Sequence, residues 1–315
     1  MIRTPAPEVS VDIPPARPGR RRRPAKSDVD VRALRRGAAA LALAGVCALS
    51  PVAEAAEPLN YVALGDSAAA GPLIPDPDPN LACQRSTRNY PRIAAEALGA
   101  KLTDVTCSGA KIEDFTGRQH GFLPPQFDAL SADTDLVTVT IGGNDVNLVR
   151  EAVSCLNPFP EPLGKSCADE LTQGGRDVLA ERVAAIADDL DGALEGIAER
   201  APGARIVVAG YATYIRPGGC YPKEPIWGRD GDYLQSAVDA LSDLLRERAR
   251  AHDADFVDIG AISEGHDVCA APREKYLEGV VPTSAAAPMH PNARGMAAFG
   301  GAVAETVQQE SRAEL

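Results

Sequence analysis

Residues 59–67 read LNYVALGDS, a short apolar run with β-favouring side chains that stops at a glycine and leads to a serine. This pattern predicts a buried strand that ends in a tight turn. Ligands bind at the carboxyl ends of strands in open α/β sheets, so Ser67 lies where a nucleophile would be placed. A serine in a turn is also a common helix N-cap. A catalytic role for Ser67 therefore requires that the rest of the chain supply a base and an oxyanion site.

Strands and helices alternate over the rest of the chain at spacings that suit parallel β-α units. We predict a three-layer α/β/α sandwich with a five-stranded parallel sheet. Right-handed crossovers put the carboxyl ends of such strands along one edge, where Ser67, Gly109 and Asn144 should meet. The later strands are predicted at 102–106, 135–141, 204–210 and 256–259, and the main helices at 90–98, 176–200 and 233–250.

The chain has two parts of different composition. It contains 315 residues with a formal net charge of −12, and its arginine- and proline-rich first 55 residues contrast with an acidic remainder. An acidic surface repels phosphate backbones, so we exclude nucleic acid as a partner. No linker or repeat interrupts residues 56–315, which predicts one catalytic domain that we expect to be a monomer.

An apolar run at residues 37–52 follows Arg35 and Arg36 and precedes Ala53-Glu54-Ala55. This layout predicts a secretory signal peptide over residues 1–55, with a long basic n-region and cleavage near Ala55-Ala56. The arginine pair leaves twin-arginine export open. The run is short for a membrane span, although a single anchoring helix is the alternative. We therefore expect a secreted protein that has no membrane span after cleavage.

Six cysteines lie in the predicted mature chain. An even number in an exported protein indicates three disulfides, although six cysteines allow 15 connectivities. No CxxC pair or His/Cys cluster is present, so no metal site is predicted. Pairing of sequence neighbours would give Cys83–Cys107, Cys155–Cys167 and Cys220–Cys269.

Only four histidines could act as the base for Ser67. His252 follows an arginine-rich helix and is predicted to be a solvated surface residue. His120 and His266 lie in loops and stay open as candidates. His290 is our preferred base: it lies just before the terminal helix, which Pro291 could open as its first residue.

Four short motifs occur in one order: Gly65-Asp66-Ser67, Gly109 after a strand, GGND at 142–145, and HPN at 290–292. In this order and spacing the chain resembles the GDSL, or SGNH, hydrolases over nearly all of residues 59–310. It is most similar to the secreted actinobacterial lipases and esterases with three disulfides, which also carry the GHD segment found at 265–267. The resemblance implies a flavodoxin-like SGNH hydrolase fold and no cofactor.

The resemblance also implies the roles of individual residues. Ser67 would attack an ester carbonyl and His290 would accept its proton. Backbone N–H groups of Ser67 and Gly109 and the Asn144 side chain would bind the oxyanion. Asp66 is expected to brace the turn rather than to react.

One position departs from the common family pattern. Most members have an aspartate three residues before the histidine, whereas this chain has Ala287. We therefore predict a Ser-His dyad in which a backbone carbonyl of Ala287 or Pro288 accepts the ring N–H of His290, as in the secreted actinobacterial branch.

The predicted reaction is hydrolysis of carboxylic esters with short to medium acyl chains, with lipids or phospholipids as further substrates. Tyr221, Ile226 and Trp227 lie in a loop that could line an acyl pocket. Carbohydrate O-deacetylation or acyl transfer on the same site is one alternative. A non-catalytic secreted binding protein is the other, but a decayed site would be expected to lack at least one of the four motif residues.

Overall fold

The computed structural model describes residues 57–313, and side chains over residues 57–309. The predicted signal peptide and its cleavage site lie outside the described residues. Within that range, no helix combines the length and the apolar character that crossing a membrane requires.

Five parallel strands form one sheet in the order β2-β1-β3-β4-β5, which confirms the predicted fold class. The chain passes from β1 outward to β2 and then returns to β3 on the other side of β1, so the switch point lies between β1 and β3. Ser67 follows β1 and Asn144 follows β3, which places both at the position where open sheets bind ligands. The strands are β1 Asn60–Gly65, β2 Lys101–Asp104, β3 Leu136–Thr140, β4 Arg205–Ala209 and β5 Asp255–Val257.

Helices cover both faces of the sheet. Tyr61 of β1 joins one apolar cluster together with α2 and α9, and Val62 joins the other with α6 and α7. Alternate residues of β1 are therefore buried on opposite faces. The α-helices are α1 Ser67–Ala70, α2 Tyr90–Leu98, α3 Leu148–Ser154, α4 Cys167–Leu171, α5 Val178–Ala185, α6 Ala187–Arg200, α7 Gly228–Ala251, α8 Ile259–Ser263 and α9 Ala293–Ala313.

The single helix predicted at 176–200 is wrong. The chain forms α5 and α6 with a break at Ile186, whose φ and ψ are −94° and 6°. Asp188 and Asp189 occupy the first turn of α6, where carboxylates interact favourably with the positive end of the helix dipole. The apolar periodicity continues across the break, because Val183 of α5 and Leu190 and Leu194 of α6 belong to the same apolar cluster.

Several predicted boundaries also differ, among them those of α7, β5 and α9. Helix α7 begins at Gly228 rather than at residue 233. Strand β5 ends at Val257, because Asp258 caps α8 by accepting a hydrogen bond from the Ala261 N–H. Helix α9 begins at Ala293 rather than at Pro291. The Asn292 side chain accepts hydrogen bonds from two backbone N–H groups of the first turn and so takes the capping role.

The described chain contains three disulfides, and they join the neighbouring cysteines. The Cys83–Cys107 bond is the one nearest the predicted site. The Cys107 N–H donates to the Gly65 carbonyl over 2.9 Å, so this disulfide links the proline-rich loop to the end of β1.

Gly65 occupies a position that no other residue type suits. Its φ is +144°, and a Cβ atom there would lie 2.5 Å from the backbone oxygen of Thr140. Because neither strand can yield locally, we expect Gly65→Ala to lower the free energy of unfolding by at least about 3 kcal/mol. Gly203→Ala is the matched control, since a Cβ atom there meets nothing within 4 Å. Denaturant melts of the two variants test this, and equal stabilities would contradict it.

Candidate active site

The turn after β1 fixes the position of Ser67. The Asp66 N–H donates to the Thr140 carbonyl over 2.9 Å, which ties the turn to β3. Asp66 Oδ1 accepts a hydrogen bond from the Ala68 N–H over 2.8 Å and so caps α1, the short helix that Ser67 begins. Ser67 is half-buried, which leaves its hydroxyl accessible at the edge of the sheet.

His290 lies within hydrogen-bond distance of this serine. Its Nε2 is 2.7 Å from Ser67 Oγ, and its Nδ1 is 2.7 Å from the Pro288 carbonyl oxygen. A carbonyl can only accept, so the proton of the neutral ring lies on Nδ1. Nε2 is then free to accept the Ser67 hydroxyl proton. Of the two backbone carbonyls predicted, that of Pro288 makes this contact and that of Ala287 does not. The Ala287 N–H donates to the Pro72 carbonyl over 2.9 Å, which ties the segment before His290 to the loop after α1.

The environment of His290 favours its neutral form. Burial lowers the pKa of His290 below its ordinary value of 6.5, and the Pro288 carbonyl opposes this in part. Within residues 57–309, no carboxylate oxygen is hydrogen-bonded to the ring. A histidine that stays neutral near pH 7 can act as a general base.

The three predicted oxyanion donors have hydrogens that are not used in this structure. Among the described residues, the backbone N–H groups of Ser67 and Gly109 donate to no acceptor. Gly109 has a φ of +82°, a conformation that glycine adopts without strain. One hydrogen of the Asn144 side-chain amide is donated to the Ala110 carbonyl over 2.9 Å. This bond orients the amide and leaves its second hydrogen unused.

A cavity opens beside Ser67, and we call it the Ser67 cavity. It has about 620 Å³ of empty space including its open mouth, and Asn144 and His290 also line it. Gly109 does not line this cavity and lies exposed at the surface. The remaining wall is largely apolar, and includes Leu148, Val149 and Ala152 of α3, Leu234 and Val238 of α7, and Ile215. The Ser67 cavity could therefore hold a hydrocarbon chain next to the serine.

Tyr211 connects two of the site's turns, a role that the sequence motifs did not reveal. Its hydroxyl accepts a hydrogen bond from the Gly143 N–H over 2.8 Å and donates one to Asp66 Oδ2 over 2.5 Å. Burial raises the pKa of Asp66 to about 7, and the bonds from Tyr211 and Ala68 oppose that rise. The signal available in the sequence was a tyrosine directly after Gly210, at the carboxyl end of β4.

Tyr211→Phe is expected to lower kcat about 10- to 100-fold and to leave KM nearly unchanged. Asp66, which precedes Ser67, and Gly143, which precedes Asn144, would lose the hydroxyl that joins them. In the wild type the bond from Tyr211 stabilises the ionised form of Asp66. Its loss should therefore raise the pKa of Asp66 and move the acid limb of the pH profile of kcat to higher pH. Tyr233→Phe is the matched control, since that hydroxyl donates to Asp177 away from the Ser67 cavity. Equal kinetics of the two variants would contradict this role.

Glu278 holds the segment that carries His290, and the sequence reasoning missed it as well. Its backbone N–H donates to the His290 carbonyl over 2.9 Å. Its buried carboxylate accepts from Asn292 Nδ2 over 2.7 Å and from Ser284 Oγ over 2.6 Å. Burial alone would raise the pKa of Glu278, but the bonds from Ser284, Asn292 and Thr283 lower it below its ordinary value. The carboxylate therefore stays ionised and stabilises this segment.

The aromatic loop proposed as an acyl pocket does not line the Ser67 cavity. Trp227 is buried and its indole N–H donates to the Phe159 carbonyl over 2.9 Å. Ile226 is buried and pairs with Leu156. Tyr221 also lies outside the lining, and its hydroxyl donates to the Pro158 carbonyl over 3.4 Å.

The other histidines lie away from Ser67. His252 is half-buried and hydrogen-bonded to Asp191 over 2.9 Å, so the prediction of a solvated residue is wrong. His266 stacks on Tyr276 and its Nδ1 donates to a backbone carbonyl. His120 lies in a short 3₁₀ turn. Within the described part of the chain, no group of His, Cys, Asp and Glu side chains has the arrangement of a metal site.

Several known proteins are similar to this chain in sequence and in fold. Residues 63–298 match the sequence profile of the GDSL-like lipase/acylhydrolase family. Lipase 2 of Streptomyces coelicolor is 38% identical over 275 residues, which are 82% of this chain and 89% of that protein. A lipase of Streptomyces rimosus is 30% identical over 233 residues, which are 73% of this chain and 81% of that lipase.

Two solved structures are similar to the fold described above. The extracellular lipase from Streptomyces rimosus superposes with a TM-score of 0.65 at 28% identity, over 79% of this chain and 99% of that one. Phospholipase A1 from Streptomyces albidoflavus NA297 gives a TM-score of 0.62 at 26% identity, with the same two coverages.

Proposed function

Because this chain belongs to the GDSL-like lipase/acylhydrolase family of carboxylic ester hydrolases, we propose that it acts through an acyl-enzyme on Ser67 with His290 as the base. The observation that carries this proposal is the 2.7 Å contact between Ser67 Oγ and a His290 Nε2 whose tautomer is fixed by Pro288. A nucleophile needs a base within such a distance.

In the first half of the reaction Ser67 Oγ attacks the ester carbonyl while His290 Nε2 accepts its proton. The carbonyl oxygen becomes negatively charged and accepts hydrogen bonds from the Ser67 and Gly109 N–H groups and from the Asn144 amide. His290 then gives the proton to the leaving alcohol, and the carbon–oxygen ester bond breaks. In the second half water attacks the acyl-enzyme with His290 again as the base, which releases the acid and restores Ser67.

The Pro288 carbonyl replaces the carboxylate of a triad in this mechanism. It holds Nδ1 protonated and so keeps Nε2 available, but it carries no full negative charge to stabilise the imidazolium that forms. The Ser-His dyad therefore depends on geometry more than on charge. The bond from Glu278 to the His290 carbonyl supports that geometry.

We propose an ester substrate whose acyl chain lies in the Ser67 cavity. The apolar side chains of α3 and α7 in its wall suit a short to medium hydrocarbon chain. Lipids and phospholipids are further candidates, since the similar proteins include lipases and a phospholipase A1.

We further propose that the protein is secreted after cleavage of residues 1–55. The three disulfides suit an oxidising compartment, and the similar Streptomyces rimosus lipase is extracellular. The prediction of a monomer stands untested.

The function is tested by assaying the oxidised 56–315 form with p-nitrophenyl esters of acyl length C2 to C16 and with acetylated xylan. We expect hydrolysis of the p-nitrophenyl esters with an optimum at short to medium acyl chains. Folded protein that releases acetate from the polysaccharide and leaves the longer esters intact would point instead to a carbohydrate deacetylase. No hydrolysis of any ester would contradict the proposal.

A further inference from the structure

Two neighbouring cavities share a wall beside Ser67. Next to the Ser67 cavity lies a narrow one, which we call the rear cavity. Its interior leaves room for about one water molecule, and about 250 Å³ of empty space lies between its lining atoms and at its mouth. Its lining includes Ala212 after β4, Ile259 of α8 and Phe299 of α9. The residues common to both linings are Ala68, Tyr211 and Tyr214.

Tyr214 differs from the other two shared residues in how it is held. Ala68 has only a methyl group, and the Tyr211 hydroxyl is bonded to both Gly143 and Asp66. The Tyr214 hydroxyl makes no hydrogen bond to any residue in 57–309. Its ring packs against both apolar clusters, so it fills space between the two halves of the core. Of the two tyrosines in the shared wall, Tyr214 is therefore the one whose side chain is held by packing alone.

The backbone of Tyr214 is fixed even though its side chain is not. Its N–H donates to Gln235 Oε1 over 2.8 Å, and its carbonyl accepts from the Val268 N–H over 3.0 Å. These bonds do not involve the ring. A smaller side chain at this position would remove the wall and leave the main chain in place.

We propose that the Tyr214 ring determines the longest acyl chain that the enzyme accepts, because it closes the Ser67 cavity against the rear cavity. This inference rests on the proposed function. Without the ring, the two cavities would join into one channel that starts at the nucleophile. The polar groups of Tyr90 and Thr140 in its wall are bonded to each other, so the channel would offer a chain mainly apolar contacts. A longer acyl chain could then extend past position 214 toward Ala212 and Phe299.

The test compares kcat/KM for p-nitrophenyl butyrate and p-nitrophenyl laurate in the wild type, Tyr214→Ala and Tyr214→Phe. Burial of one further methylene is worth roughly fourfold in binding, so two of them should raise the laurate-to-butyrate ratio of Tyr214→Ala about tenfold or more. Tyr214→Phe should keep the wild-type ratio, because it retains the ring and the lost hydroxyl has no protein partner.

A second substitution shows where the longer chain goes. Ala212 lines the rear cavity and does not line the Ser67 cavity. Ala212→Leu in the Tyr214→Ala background should fill the rear cavity and return the ratio toward the wild-type value. A ratio that stays high in this double variant would place the extra chain elsewhere and contradict the proposal.

An unchanged ratio in a folded Tyr214→Ala variant would overturn the inference, as would an equal shift in Tyr214→Phe. If Tyr214→Ala does not fold, Tyr214→Leu removes the ring with a smaller loss of packing, and the same two outcomes apply. Failure of the proposed function looks different, because the wild type would then hydrolyse none of the esters.

Discussion

Ser67→Ala and His290→Ala should each lower kcat for p-nitrophenyl butyrate by about 10⁴- to 10⁶-fold. In the proposed mechanism Ser67 Oγ forms the covalent bond, and His290 Nε2, which lies 2.7 Å from it, acts as the base. Because the two groups act as a unit, the double variant should be no slower than either single variant. Steady-state kinetics of the three proteins measure this.

The control for these variants is His252→Ala. It removes a histidine that is hydrogen-bonded to Asp191 and does not line the Ser67 cavity. We expect its kcat to stay close to that of the wild type. A His290→Ala variant that retained a tenth or more of the wild-type kcat would show that His290 is not the base.

Asn144→Ala is expected to lower kcat about 10²- to 10³-fold with little change in KM, because the amide hydrogen that is not bonded to Ala110 would donate only to the charge that develops in the transition state. The lost bond to the Ala110 carbonyl should reduce the free energy of unfolding by only about 1 kcal/mol. The folded fraction at 25 °C would then be nearly unchanged.

Asn60→Ala is the matched control for the oxyanion variant. The Asn60 amide also donates to a backbone carbonyl, that of Asp133, but at the opposite end of the sheet. It should lose a similar amount of stability and no kcat. A decrease in kcat of less than tenfold in Asn144→Ala would show that this side chain does not stabilise the oxyanion.

Local sequence patterns were enough to predict the sheet and the position of Ser67 and Asn144 at its edge. The 61–64 and 135–141 runs are largely apolar because β1 and β3 are buried on both faces. Each run is followed directly by a glycine, which marked the end of the strand. The topology then brought Ser67 and Asn144 together. The break at Ile186 was hidden because the apolar stripe runs through it.

The residues that support the site could not be found in this way. Tyr211 and Asp66 are 145 positions apart, and a hydrogen bond over that separation leaves no local pattern. Glu278 is an ordinary charged residue in the sequence, and only its burial among Ser284 and Asn292 shows its role. Trp227 was considered for the acyl pocket because it lies in a loop, although the residue is buried away from the Ser67 cavity.

The most direct test of the central claim is labelling with an alkyl p-nitrophenyl phosphonate, which mimics the tetrahedral intermediate and stays bound to a nucleophile. The oxidised 56–315 form is incubated with the reagent, and the intact mass and tryptic peptides are measured. The account predicts one phosphonyl group per chain, on Ser67, with parallel loss of esterase activity and no label in Ser67→Ala. A label on any other residue, or full esterase activity without a label, would contradict it.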